Sequence, residues 1–174
     1  VPLTELISAA ATGPISKLFP SGVIALPVSE VPLEPAWTSF ACVLIRGQTF
    51  KRVGLMDEDF FMYFEDIDFC RRTRQGGGRI LHWPTARVVH LRGKSGSVKA
   101  DTAARKRRPS YYYAARAHYF NKHHGKVGFW LGNAFWTAGR AVSWIREVVG
   151  RKAPHVCQRE WLDNWTAGSR VSGG

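Results

Sequence analysis

The chain has 174 residues, 45% of them hydrophobic and 22% charged. That is a globular composition, which argues against wholesale disorder and leaves room for one ordinary domain or a smaller core with a helical extension. Lys and Arg outnumber Asp and Glu by 25 to 13, and the net charge of +12 calls for a polyanionic neighbour, whether nucleic acid, an anionic membrane surface or a phosphorylated substrate.

The three cysteines, Cys42, Cys70 and Cys157, form no C-x-x-C pair, which argues against a disulfide framework or a zinc ribbon and suits a reducing cytosol. The first residue is Val and no signal peptide precedes the first polar residues, so the sequence reads as one that begins inside a longer protein.

In chain order, Thr4 can cap a short helix over residues 5–11, and residues 21–28 read as a brief extended piece. Residues 37–46, W-T-S-F-A-C-V-L-I-R, end in a continuous apolar run, the pattern of a buried strand. Residues 48–53 make one or two helical turns that Gly54 can stop. Residues 65–75 are the clearest helix. Glu65, Asp66 and Asp68 lie at its N-terminal end and Arg71, Arg72 and Arg74 at its C-terminal end, each set complementing the helix dipole, with Gly76 to end it. Two short strands, 79–83 and 86–91, are separated by Pro84, and residues 92–97 form a flexible basic loop. The basic run R-K-R-R at 105–108 then introduces an aromatic-rich helical region over 110–149, and the polar tail from 150 reads as loosely ordered at its end.

The acids are unevenly spread. Six of the thirteen fall between positions 57 and 68, in D-E-D-F-F-M-Y-F-E-D-I-D. Asp57, Glu58 and Asp59 read as a turn and Asp68 as part of the helix. An EF-hand is excluded, because the loop lacks the central Gly and the alternating oxygen ligands. Glu65 and Asp66 start the helix beside Phe60, Phe61, Met62, Tyr63 and Phe64. Such an apolar wall desolvates a carboxylate and raises its basicity, as a general base requires. Adjacent helical side chains diverge by about 100°, so one carboxylate can face a substrate while the other braces the loop.

Three stretches, W-T-S-F-A-C-V-L-I-R, F-K-R-V-G-L-M-D-E-D-F-F-M-Y-F-E-D-I-D-F-C-R-R and P-T-A-R-V-V-H, resemble the rhamnosyltransferase-like branch of the family 2 inverting glycosyltransferases. The likeness is close over 36–97 and looser over 111–125. It implies an α/β fold, with residues 1–100 forming the second, acceptor-side half of a GT-A type mixed sheet and 101–174 a mainly helical, basic, membrane-proximal region.

By the same resemblance, Asp66 is the general base and Glu65 its support. Trp37 and Ser39 line the acceptor side, with Phe40 standing where the family usually has Gly. His90 helps hold a divalent cation (Mg2+ or Mn2+), and Arg92, Lys94 and Ser95 form the loop facing the donor diphosphate. The family's N-terminal nucleotide-binding part and its metal-chelating D-x-D do not occur upstream of Trp37, so transfer is expected to need that part. The partners implied are a nucleotide-sugar donor and a glycan or lipid-linked acceptor.

The aromatic region 129–149 is too polar to span a bilayer. Its Trp residues and cations suit a helix lying along an anionic membrane, and hence a peripheral protein on the inner face of the cell membrane. His118, His123 and His124 do not share one helix face at metal-ligand spacing. Two other readings remain: a basic module binding single-stranded nucleic acid, which the acidic cluster opposes, and a non-catalytic remnant of a glycosyltransferase.

Overall fold

The computed structural model describes Glu5 and residues 29–89, 96–150 and 156–170, the last three without their side chains. These residues form two compact units, one within Leu26–Gly96 and one from Ser97 onward together with Glu5. The described residues are mostly helical. The expected helix over 5–11, the extended piece 21–28 and the basic loop with His90, Arg92, Lys94 and Ser95 lie outside them.

The first unit is built on α1 (Gly47–Val53) and α2 (Glu65–Gln75). Gly54, at φ 79°, ends α1, and its N–H donates to the Phe50 carbonyl at 2.9 Å. A left-handed residue is cheapest as glycine, which is why the helix stops there. The three acids sit in the first turn of α2 and Arg72 and Arg74 in its last, as the dipole favours.

Phe69 is the centre of this unit. It meets the rings of Phe40 at 5.8 Å and Phe50 at 5.3 Å, and the Arg72 guanidinium lies 5.1 Å from its centroid. Asp68, fully buried, holds Arg72 Nε at 2.8 Å, and Arg72 donates onward to the carbonyls of Val53 at 2.6 Å and Leu55 at 3.0 Å. One ion pair therefore fastens the end of α1 to α2. The Glu34–Arg79 pair is exposed and adds little.

The expected strands are not formed among the described residues. Residues 37–46 run irregularly with a turn at Phe40 and Ala41, and Leu44 is 98% exposed. Of the 79–83 stretch only His82 pairs, in an isolated antiparallel bridge to Leu33, and the described part of 86–91 is irregular. A strand is stable only with a ladder partner, and among the described residues the single bridge is the whole of the pairing.

The second unit contains α3 (Val98–Ala103), α4 (Ser110–Val148) and α5 (Glu160–Arg170). α4 is two helical arms joined at Gly125, whose φ of 65° and ψ of −176° belong to a region open to glycine alone. The arms touch through missing side chains. A Cβ on Gly128 would lie 2.0 Å from that of His124, and one on Gly132 would lie 2.8 Å from the Phe120 ring. Gly128→Ala is therefore expected to lower stability by about 1–3 kcal/mol, and Gly125→Ala by about as much through backbone strain. Gly47→Ala, with nothing within 4 Å of the new methyl, should be neutral or better in the same thermal melts.

The tail's end at 171–174, expected to be loosely ordered, lies outside the described residues, and within the polar tail residues 160–170 form α5. Its Glu160, Asp163 and Asn164 are buried at helical spacing, so its inner face is polar. Arg108 meets Glu160 at 2.6 Å and Arg107 forks onto Asp163 at 2.8 and 2.7 Å, while Asn133 donates to the Asn164 carbonyl at 3.1 Å. A buried face made of charges looks like a solvated one in sequence, so the burial of this face shows only in the fold.

Candidate active site

The acidic stretch folds as two separate pieces. Asp57 Oδ1 accepts the N–H of Asp59 at 3.0 Å and the Asp57 carbonyl accepts that of Phe60 at 3.3 Å, so residues 57–60 close a turn. The chain then passes through Tyr63 and Phe64, at φ 72° and 68°. Two successive left-handed non-glycine residues cost about 1–3 kcal/mol each, and such strain collects where a site must be held in one shape. It swings Glu65 and Asp66 onto the start of α2, away from the turn acids. Asp68 faces the interior with Arg72 and is a packing group.

Phe64 gives α2 no side-chain cap. Asp66 fills that role from inside the helix, its Oδ1 accepting the N–H of Ile67 at 2.8 Å, and the Phe40 amide also bonds to this carboxylate. Both contacts favour the charged form, yet desolvation outweighs them and raises the Asp66 pKa above the ordinary carboxylate value. Glu65 is raised as well, first by desolvation, and the neighbouring Asp66 charge adds to it. Glu65 Oε2 is buried without a hydrogen-bond partner. One carboxylate is thus oriented by backbone amides, and the one beside it keeps an acceptor oxygen unused.

The structure brings the 37–40 segment to these acids. The Cys70 thiol, one turn after Asp66, lies 3.8 Å from the Thr38 carbonyl, and Phe40 packs edge-on against Phe69. Trp37 and Ser39 therefore belong to the neighbourhood of the acidic helix, Trp37 half-buried and Ser39 exposed. The Phe40 ring is spent on the Phe69 contact and its amide on Asp66. Sequence reading missed that amide, because a backbone donor has no residue signature. The Asp68–Arg72 clamp is an i, i+4 acid–base pair on one face of α2.

In the second unit, the imidazoles of His123 and His124 lie tilted against Tyr119 and Phe120, with ring centroids 4.8 Å and 6.2 Å apart. Two arginines of the R-K-R-R run, Arg107 and Arg108, are engaged with acids of α5 rather than presented as a basic patch. Among the described residues, no helix is long and apolar enough to cross a membrane.

Three quarters of this chain aligns with recognisable relatives. The chain is 33% identical over 136 residues to the N-acetylglucosaminyl-diphospho-decaprenol L-rhamnosyltransferase of Mycobacterium tuberculosis, a match covering 75% of this chain and 42% of that protein. It is 40% identical over 67 residues to the low-salt glycan biosynthesis hexosyltransferase Agl10 of Haloferax volcanii, covering 38% of this chain and 22% of that one. With the rhamnosyltransferase WbbL of Escherichia coli K12 it shares 37% identity over 54 residues, 31% of this chain and 20% of WbbL. The chain thus spans less than half the length of these relatives. No family model and no solved structure matches it.

Proposed function

Because the curated homologues of this chain are rhamnosyltransferases and hexosyltransferases, we propose that it is the acceptor-side part of an inverting glycosyltransferase, with Asp66 as general base. The observation that carries this reading is the Asp66 carboxylate, desolvated at the first turn of α2 and aimed by the amides of Ile67 and Phe40. In the proposed step Asp66 takes the proton of an acceptor hydroxyl as that oxygen bonds to the anomeric carbon of the donor sugar. The bond from that carbon to the diphosphate breaks from the opposite face, the nucleoside diphosphate leaves, and the configuration inverts. Glu65 supports the base, and Trp37 and Ser39 flank the acceptor.

The donor is a nucleotide-sugar and the acceptor a glycan or lipid-linked sugar, presented at the cytoplasmic face of an anionic cell membrane. Arg92, Lys94 and Ser95 are assigned to the donor diphosphate. His90 is assigned to a divalent cation, Mg2+ or Mn2+, which when bound offsets the charge of the leaving group. We further assign the first unit to the second half of a GT-A type sheet. In support, the β-type segments carry exposed apolar residues, among them Leu44, Trp83 and Val89, which paired strands would cover.

With the nucleotide-binding part supplied, the test is transfer from nucleotide-activated L-rhamnose to a lipid-linked N-acetylglucosamine acceptor, followed against pH. A base must lose its proton before it can act, so a raised pKa places the loss of kcat/KM on acidification above the ordinary aspartate value of about 3.9. The rate falls about tenfold per pH unit below that limb. A profile flat down to pH of about 4, with transfer intact, would remove Asp66 from this role.

A further inference from the structure

The second arm of α4 turns an apolar face outward. Every exposed position from residue 127 to residue 148 is Ala, Val, Leu, Ile or Trp. Trp130, Trp144 and Val148 are exposed to 60% or more. Its buried positions are Gly128, Phe129, Gly132, Asn133, Trp136, Gly139 and Ser143, two rings among small and polar residues. Residues 127, 131, 134, 138, 141, 145 and 148 recur at steps of three and four, so the exposed apolar residues form one stripe, about 32 Å long at 1.5 Å per residue. α5 does the same, with Trp161 and Leu162 outside and Glu160, Asp163 and Asn164 inside. Water selects the opposite arrangement, and an exposed apolar band of this length marks a surface with a partner.

The charges identify that partner. Within this unit Glu5, Glu147, Glu160 and Asp163 are each held by an arginine, namely Arg116, Arg140, Arg108 and Arg107. Asp101 is half-buried. Among the described residues of the unit, every exposed charged position is therefore Lys or Arg, including Lys126 at the head of the stripe and Arg159 beside Trp161. The acids are withdrawn into the fold; the outer face of the arm is tryptophan and aliphatic side chains with Lys126 at its head, and the unit's other exposed charges are all cations. Indoles favour the headgroup level of a bilayer, aliphatic side chains the acyl boundary, and Lys and Arg the anionic headgroups.

We propose that this face, centred on Trp130, Leu131, Trp144 and Ile145, is a docking surface for an anionic phospholipid bilayer, with the arm lying flat and the ion-paired interior of the unit turned away from the lipid. The proposal extends the membrane placement given above and names the residues that make it. It needs no sugar transfer, so vesicle binding and catalysis can fail independently.

The test is flotation of the full 174-residue chain with vesicles of phosphatidylcholine alone or with roughly a third phosphatidylglycerol. The chain should float with the anionic vesicles, with Trp emission shifted to the blue, and bind neutral vesicles at least about tenfold more weakly, each surface cation contributing roughly fivefold. The double variant Leu131→Glu, Ile145→Glu changes only exposed positions, should keep its circular dichroism, and should lose at least about tenfold in vesicle affinity. Lys126→Glu should weaken the preference for anionic lipid while keeping residual binding. The proposal is overturned by equal binding to both vesicle types, by absence of binding, or by undiminished binding of the double variant. It is equally overturned if the chain ignores vesicles and instead self-associates through the stripe or retains oligonucleotides.

Discussion

Asp66→Asn is expected to lower sugar transfer by about 10²- to 10⁴-fold, the usual contribution of a positioned general base, while leaving the thermal midpoint nearly unchanged. The amide oxygen of Asn can still accept the Ile67 N–H, and removing a desolvated charge relieves rather than strains the helix start. Asp68→Asn, two residues away, should do the reverse. Asp68 is fully buried against Arg72, and the same guanidinium holds the Val53 and Leu55 carbonyls. Removing the carboxylate leaves a mostly buried cation without its counter-charge, at a cost of about 3–5 kcal/mol. Kinetics and thermal melts of the two variants, side by side, separate the roles. If Asp66→Asn transfers sugar at the parent rate, Asp66 is not the base. If both variants simply unfold, the division of labour among these acids is wrong.

Glu160→Ala should detach α5. Glu160 meets Arg108 at 2.6 Å, both partners are mostly buried, and its second oxygen accepts the Cys157 N–H at 3.1 Å. Truncation strands both a buried guanidinium and a buried amide, again costing about 3–5 kcal/mol. The exposed Glu34–Arg79 pair gives the control. Its side chains are 51% and 69% exposed, so Arg79→Ala should cost no more than about 1 kcal/mol. Hydrogen exchange of the α5 amides is the direct readout for Glu160→Ala, where protection should collapse, and thermal melts compare the two variants. Equal loss of stability in both would mean that burial does not govern these pairs.

These expectations separate what could be read along the chain from what could not. Residues 65–75 were legible as a helix because every local signal agrees there: acids first, arginines last, glycine after. The same holds for Gly54 as a stop and for the turn at 57–60, since capping, dipole and turn chemistry act within a few residues. The long aromatic helix was legible as a region, but its kink at Gly125 was not. A glycine in a helical pattern signals flexibility without stating which way the chain will turn.

The candidate base was named from its place in an ordered motif and from its apolar neighbours. What orients it, the Phe40 amide brought back from a segment read as a strand, depends on two stretches some 26 residues apart in sequence meeting in space. The buried strand itself was a sound reading of an apolar run that depended on a ladder supplied from elsewhere in the chain. The burial of α5 was hidden for the opposite reason: its inner face is charged, and only Arg107 and Arg108 coming from another segment make that face a buried one. The sequence by itself therefore determined the local elements, the acidic helix and the excess of positive charge. The tertiary structure alone decided which charges are withdrawn into ion pairs and which apolar residues are left facing outward, because burial is set by the partner across a contact and not by the residue that is buried.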